Sequence, residues 1–90
     1  MNQKAKITLI KKDPCPYCDR AMNFFNSRDL KVEIIDLTDK PDEIGKLKEK
    51  YGWQTVPMIL INDVFVGGYN DLKALDEKGK LAQMLLETKS

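Results

Sequence analysis

Near residue 14 the hydrophobic period of this chain changes from that of a buried strand to that of a helix, and two cysteines stand at the change. Ile7-Thr8-Leu9-Ile10 is short, apolar and rich in β-branched residues, and it stops at the polar, proline-containing stretch Lys11 to Pro14. That is the signature of a buried strand ending in a loop. From Pro16 onward Cys18, Ala21, Met22 and Phe25 recur at three- and four-residue steps, with no breaker before Asp29. The spacing predicts a helix that begins at or beside Cys15, with proline in the first turn, where its missing N–H is not needed.

The rest of the chain continues the alternation. Val32, Ile34 and Ile35 read as a second strand ending at Asp36. Thr38 to Pro41 resembles a helix start, followed by Ile44, Leu47 and Tyr51 on one face and closed by Gly52. Met58 to Ile61 and Val64 to Val66 flank Asn62-Asp63, a two-residue hairpin turn between antiparallel strands. After Gly67-Gly68, Asn70 or Asp71 is expected to cap a last helix carrying Leu72 and Leu75. Beyond a break near Gly79 this continues through Leu81, Met84 and Leu85. Two parallel strands joined by a helical crossover, then a hairpin and a packing helix, predict an α/β architecture with one small mixed sheet covered by helices. A length of 90 residues suits one core, so residues 1–90 are expected to form a single domain.

Charge narrows the function classes. Fifteen Lys and Arg nearly cancel 14 Asp and Glu, leaving a formal net charge of +1. Nucleic acid and anionic membrane are therefore not expected as partners, since phosphate affinity needs a clustered excess of base. The polar stretch Met1 to Lys6 leads into only a short apolar run, which fits neither a signal peptide nor a membrane span, so a cytoplasmic location is expected. The two cysteines are three residues apart, and a disulfide closing so small a loop restrains little of the unfolded chain. Their use is chemical rather than structural on this ground.

Cys15-Pro16-Tyr17-Cys18 puts one sulfur at the helix N-terminus and the other one turn further in, close enough to bridge. Unsatisfied N–H groups and the positive end of the helix dipole favour an anion there, so the Cys15 thiolate is favoured over its thiol. Cysteines in such positions titrate from roughly 3.5 to 7.5, against about 8.5 for a free thiol. Cys15 is assigned as the attacking sulfur, Cys18 as the resolving thiol, and Tyr17 as a flat apolar shield for an incoming disulfide. Three other readings remain open. Half of a zinc site has this spacing, but the chain has no His and no further Cys, so no metal is expected. Two inert buried cysteines, or an iron–sulfur cluster shared between two chains, are the others.

Two loops add to the site. Thr55-Val56-Pro57 stands directly before a strand, where proline removes a ladder donor and either marks a cis peptide or is an ordinary trans residue. In the cis form the Val56 backbone groups would face outward, free to pair with an extended peptide. Gly67-Gly68-Tyr69-Asn70-Asp71 ends a strand and opens a helix, so its N–H groups suit either a bound carboxylate or a plain helix cap.

Taken together, these three motifs resemble a dithiol glutaredoxin over nearly the whole chain. The resemblance implies a thioredoxin-like fold with a four-stranded sheet, and reduction of protein disulfides and glutathione mixed disulfides with glutathione as electron donor. It implies that Val56, beside Pro57, pairs with the glutathione backbone, that Asn70 and Asp71 hold its γ-glutamyl end, and that Lys12 meets its glycyl carboxylate. Tyr17, Gln54, Thr55, Gly68 and Tyr69 complete the implied glutathione site. Trp53 and Pro14 depart from the family's usual residues. Implied partners are disulfide-containing or glutathionylated proteins, ribonucleotide reductase among them, met by a monomer. The competing reading is a thioredoxin-like electron donor reduced directly by a flavoprotein reductase.

Overall fold

The computed structural model describes residues 4–86, so residues 1–3, the front of the polar lead, lie outside the described residues, as do residues 87–90. Element order is β1 (Ile7–Lys11), α1 (Pro16–Ser27), β2 (Glu33–Asp36), α2 (Pro41–Tyr51), β3 (Met58–Ile61), β4 (Val64–Gly67), α3 (Tyr69–Glu77) and α4 (Lys80–Leu86). The strands form one sheet in the order β2-β1-β3-β4. β1 runs parallel to β2, with Leu9 opposite Ile34, and antiparallel to β3, with Leu9 opposite Ile59. β3 pairs antiparallel with β4, with a register shift at Ile59/Leu60.

The two central strands are apolar at successive positions because both of their faces are covered. Ile7, Leu9, Ile59 and Ile61 point to one side, where Ala21 and Phe25 of α1, Leu72 of α3 and Leu81 and Leu85 of α4 enclose them. Ile10, Met58 and Leu60 point to the other, where they meet Ile44 of α2 and Leu37, with Tyr51, Trp53, Val56 and Phe65 packed around them. β2 is an edge strand, so Ile34 and Ile35 stay exposed despite their apolar character.

Local chemistry explains most boundaries. Pro41 opens α2, Asp42 and Glu43 occupy its first turn and Lys48 and Lys50 its last, each sign matching the helix dipole. Gly52 closes α2 in the left-handed conformation, φ 62°, with its N–H turned back to Glu49 and Lys48. Asn62 and Asp63 both have positive φ, 53° and 65°, as a tight hairpin turn with the right twist requires.

The start of α2 falls within the expected Thr38 to Pro41, with Lys40 as its N-cap and no side-chain cap bond. The Thr38 hydroxyl is engaged elsewhere, with Asp13 and Asp36. The N-cap of α3 is Gly68 rather than Asn70 or Asp71, and Asp71 instead reaches back from the third helical position to accept the Gly68 N–H at 3.0 Å. This is the backward half of a capping box, and it leaves the N–H groups of the first helical turn without a capping side chain.

Candidate active site

The site is built where β1 hands the chain to α1. Cys15 is the N-cap of α1 in extended backbone conformation, and its sulfur accepts the backbone N–H of Cys18 at 3.1 Å. A sulfur thus fills the place of a capping oxygen, satisfying one of the unpaired N–H groups at the helix start. Cys15 and Cys18 are joined as a disulfide, with their Cα atoms 5.2 Å apart. Cys15 retains 8% of its surface and Cys18 none, so only Cys15 offers an approach from solvent.

The loop before β3 meets the disulfide from across the site. The Val56–Pro57 peptide is cis, as is Asp13–Pro14, and the Val56 carbonyl oxygen lies 3.7 Å from Cys15 Sγ. A cleft of about 270 Å³ opens beside this contact, walled by Tyr17, Trp53, Thr55, Val56, Pro57, Gly68, Tyr69, Asn70 and Asp71. The Tyr17 and Tyr69 rings, 6.2 Å apart and tilted by 39°, form its lip. At its far wall the first intrahelical bond of α3 runs from the Leu72 N–H to Gly68 O at 3.0 Å, so the N–H groups of Tyr69, Asn70 and Asp71 precede the helical ladder. Gly67, at φ 117°, is required there, since a Cβ would stand 2.5 Å from the Asp71 carboxylate.

Eight of the ten residues assigned to glutathione from the sequence therefore share one cleft, while Lys12 and Gln54 are exposed and outside its lining. Trp53, set apart in the sequence as a departure, is a wall residue instead. Its indole meets Phe65 edge to face at 5.3 Å, Phe65 stacks on Tyr51 at 4.7 Å, and the indole N–H has no hydrogen-bond partner among the described residues. Its apolar character alone gave no sign of this, because a loop residue has no periodicity from which direction follows.

A second feature that sequence reasoning missed lies behind the cysteines. Asp36 Oδ1 accepts from both the N–H and the hydroxyl of Thr38, and the Thr38 hydroxyl oxygen accepts the Asp13 N–H at 2.9 Å. The Thr38 hydroxyl and then its N–H hold the Asp36 carboxyl below the usual carboxylate range. Lys11 Nζ lies 2.8 Å from Asp13 Oδ1, and that hydrogen bond raises the lysine above its ordinary value. Among the described residues no group of three or more His, Cys, Asp or Glu side chains is arranged to hold a metal, and no helix is long and apolar enough to cross a membrane.

The glutaredoxin family model matches residues 7–66, from β1 into β4. The chain belongs to the glutaredoxin family. It is 39% identical over 71 residues to a glutaredoxin of Pseudomonas aeruginosa, an alignment covering 79% of this chain and 84% of that one. To glutaredoxin 3 of Escherichia coli it is 31% identical over 81 residues, 90% of this chain and 98% of the relative. The solution structure of a Brucella melitensis glutaredoxin superposes with a TM-score of 0.80 at 32% identity, covering 93% of this chain and 91% of that one. A buckwheat glutaredoxin in complex with glutathione does so with a TM-score of 0.82 at 26% identity, covering 92% and 78%. The fold is thus thioredoxin-like, and membership of the family makes the chain a thiol–disulfide oxidoreductase with its Cys-Pro-Tyr-Cys pair as the redox-active disulfide.

Proposed function

We propose that the protein reduces protein disulfides and glutathione mixed disulfides with electrons from reduced glutathione. The observation that carries this is the placement of Cys15 Sγ, which caps α1, accepts the Cys18 N–H and touches Val56 at the edge of a cleft. A helix start stabilises negative charge on that sulfur, and its partial exposure lets a disulfide reach it.

In the forward half-reaction the Cys15 thiolate attacks one sulfur of the substrate disulfide. A Cys15–substrate disulfide forms, the substrate S–S bond breaks, and its electron pair leaves on the other sulfur, which takes a proton from water. Cys18, having lost its proton, then attacks Cys15, forming the Cys15–Cys18 bond and releasing the second substrate thiolate. The enzyme has given up two electrons. One glutathione thiolate opens the enzyme disulfide and is left bound to Cys15. A second removes the first as oxidised glutathione, returning both cysteines to the reduced state.

Bound through its sulfur to Cys15, glutathione would extend its backbone along Val56 beside Pro57, as an added strand pairs with an exposed edge. Its γ-glutamyl carboxylate would meet the N–H groups of Tyr69, Asn70 and Asp71, with Thr55, Gly68 and the Tyr17 and Tyr69 rings enclosing the rest. The resemblance assigns the glycyl carboxylate to Lys12, which is exposed, as is Gln54, and neither lines the cleft. The buckwheat relative in complex with glutathione supports the ligand, and family membership favours glutathione over direct reduction by a flavoprotein. Glutathionylated and disulfide-containing proteins in the cytosol, ribonucleotide reductase among them, are the partners in this reading, each meeting a monomer.

The test supplies one small disulfide with two reducing systems, glutathione with glutathione reductase and thioredoxin reductase alone, each fed by NADPH. Turnover with the first and none with the second is expected. The reverse result would replace glutathione by a flavoprotein as the electron source.

A further inference from the structure

A second groove, of about 570 Å³, runs along α1 and α3 away from the disulfide, and Tyr69 forms a wall of both it and the cysteine-side cleft. Its charges are uneven. Arg28 is neutralised by Asp76 at 2.9 Å and lies over the Phe24 ring at 3.8 Å. Arg20 and Lys73 line the same groove, and neither makes an ion pair among the described residues, although Asp19 and Glu77 stand near them in sequence. The groove lining carries Arg20, Arg28 and Lys73 against Asp76 alone, a local positive excess in a chain whose formal net charge is only +1.

Both cations are tied to the lip of the cysteine-side cleft. The Arg20 guanidinium sits 5.1 Å from the centre of the Tyr17 ring, and Lys73 Nζ 5.9 Å from that of Tyr69. An aromatic face holds a cation without cancelling its charge, so both remain available to an anion. Because Tyr69 lines both, a polypeptide flank that leaves the cleft past Tyr17 and Tyr69 would enter the groove that Arg20 and Lys73 line.

We infer that the α1–α3 groove receives an acidic stretch of a protein substrate, on one flank of the disulfide being reduced, through Arg20 and Lys73. The inference rests on the oxidoreductase reading above and adds substrate choice to it. Carboxylates on that flank meet complementary charge during encounter and in the mixed disulfide, whereas lysines there meet like charge. Small disulfides do not reach the groove and gain nothing from it.

The experiment uses glutathionylated peptides of one sequence that carry three Glu, three Gln or three Lys on either flank of the modified cysteine, with a small neutral disulfide as reference. For one flank, kcat/KM is expected to fall from Glu to Gln to Lys by about three- to tenfold per step at low salt, two exposed ion pairs being involved, and to converge at high salt. The Arg20→Glu/Lys73→Glu double variant is expected to reverse that order while turning over the small disulfide as the native protein does. Arg20→Gln/Lys73→Gln is expected to abolish the order. Equal kcat/KM for all peptides, or an order that survives charge reversal, overturns the inference and leaves the oxidoreductase reading intact. Failure of the native protein on the small disulfide overturns both.

Discussion

The backbone N–H of Asp13 donates to the hydroxyl oxygen of Thr38 at 2.9 Å, a bond between residues 25 positions apart that fastens the loop before Cys15 to the loop after β2. Thr38 is itself held by Asp36, and Asp13 by Lys11, so the approach to the nucleophile is anchored from two strands. Thr38→Val keeps the shape of the side chain and removes the hydroxyl. Loss of kcat/KM on the order of tenfold is expected from the loosened Cys15 loop, with the reduced protein still folded. Steady-state kinetics beside a circular dichroism spectrum check it.

The same cluster sets a pH dependence. Thr38 lowers the Asp36 carboxyl in the folded state, so its contribution to stability is complete above the unfolded value of 3.8 and is lost as pH falls through the lower folded value. Urea midpoints measured from pH 7 down to pH 2 should show native protein and Thr38→Val furthest apart near neutrality. The gap should narrow below about pH 3.8, and a constant gap throughout would remove Asp36 from the explanation.

Reduced protein should be alkylated at Cys15 with a pH midpoint well below the value of about 8.5 for a free thiol. Cys18, with no exposed surface, should react only on unfolding. Mass spectrometry after timed exposure to iodoacetamide assigns each sulfur. If both followed the free thiol, the charged nucleophile would have to be abandoned.

Replacing the two cysteines separates their roles. Cys15→Ser should eliminate turnover of every disulfide. Cys18→Ser should lose reduction of protein disulfides yet retain removal of glutathione from a peptide, which requires one sulfur. An active Cys15→Ser protein would reverse the assignment.

Gly67→Ala tests the wall at the start of α3. Left-handed backbone and a Cβ placed 2.5 Å from the Asp71 carboxylate should together cost about 1 to 3 kcal/mol, read from urea denaturation. In an Asp71→Ala background the contacts with the carboxylate go, while the Cβ at position 71, 2.8 Å away, and the positive φ remain, so the cost should shrink without vanishing.

How much of this was legible in the sequence depended on whether a rule of spacing applied. β1, α1 and the Asn62-Asp63 hairpin follow from periodicity and turn chemistry, and those elements bring Cys15, Cys18 and the Val56 loop together. The start of α3 did not follow, because Asp71 supplies its carboxylate from inside the helix and leaves the capping position to a glycine. The second strand was legible from Ile34 and Ile35, but its place at the edge of the sheet, where both are exposed, follows only from strand order. Lys12, Gln54 and Trp53 sit on loops, where neighbouring residues have no fixed relation of direction, so only the fold could sort the indole into the cleft and leave the lysine outside. The bond from Asp13 to Thr38 joins two such loops and has no pattern in either.

An N-cap made of sulfur has a consequence for timing. Whatever the Cys18 N–H does to hold electrons on Cys15, the electrons on Cys15 do in return to hold the Cys18 N–H. The first turn of α1 is therefore tightest while the enzyme is waiting, ionised and empty. It relaxes once a partner has been captured and the sulfur turns neutral, which is when the thiol behind it, buried even in the disulfide, has to close on Cys15 and let the partner go.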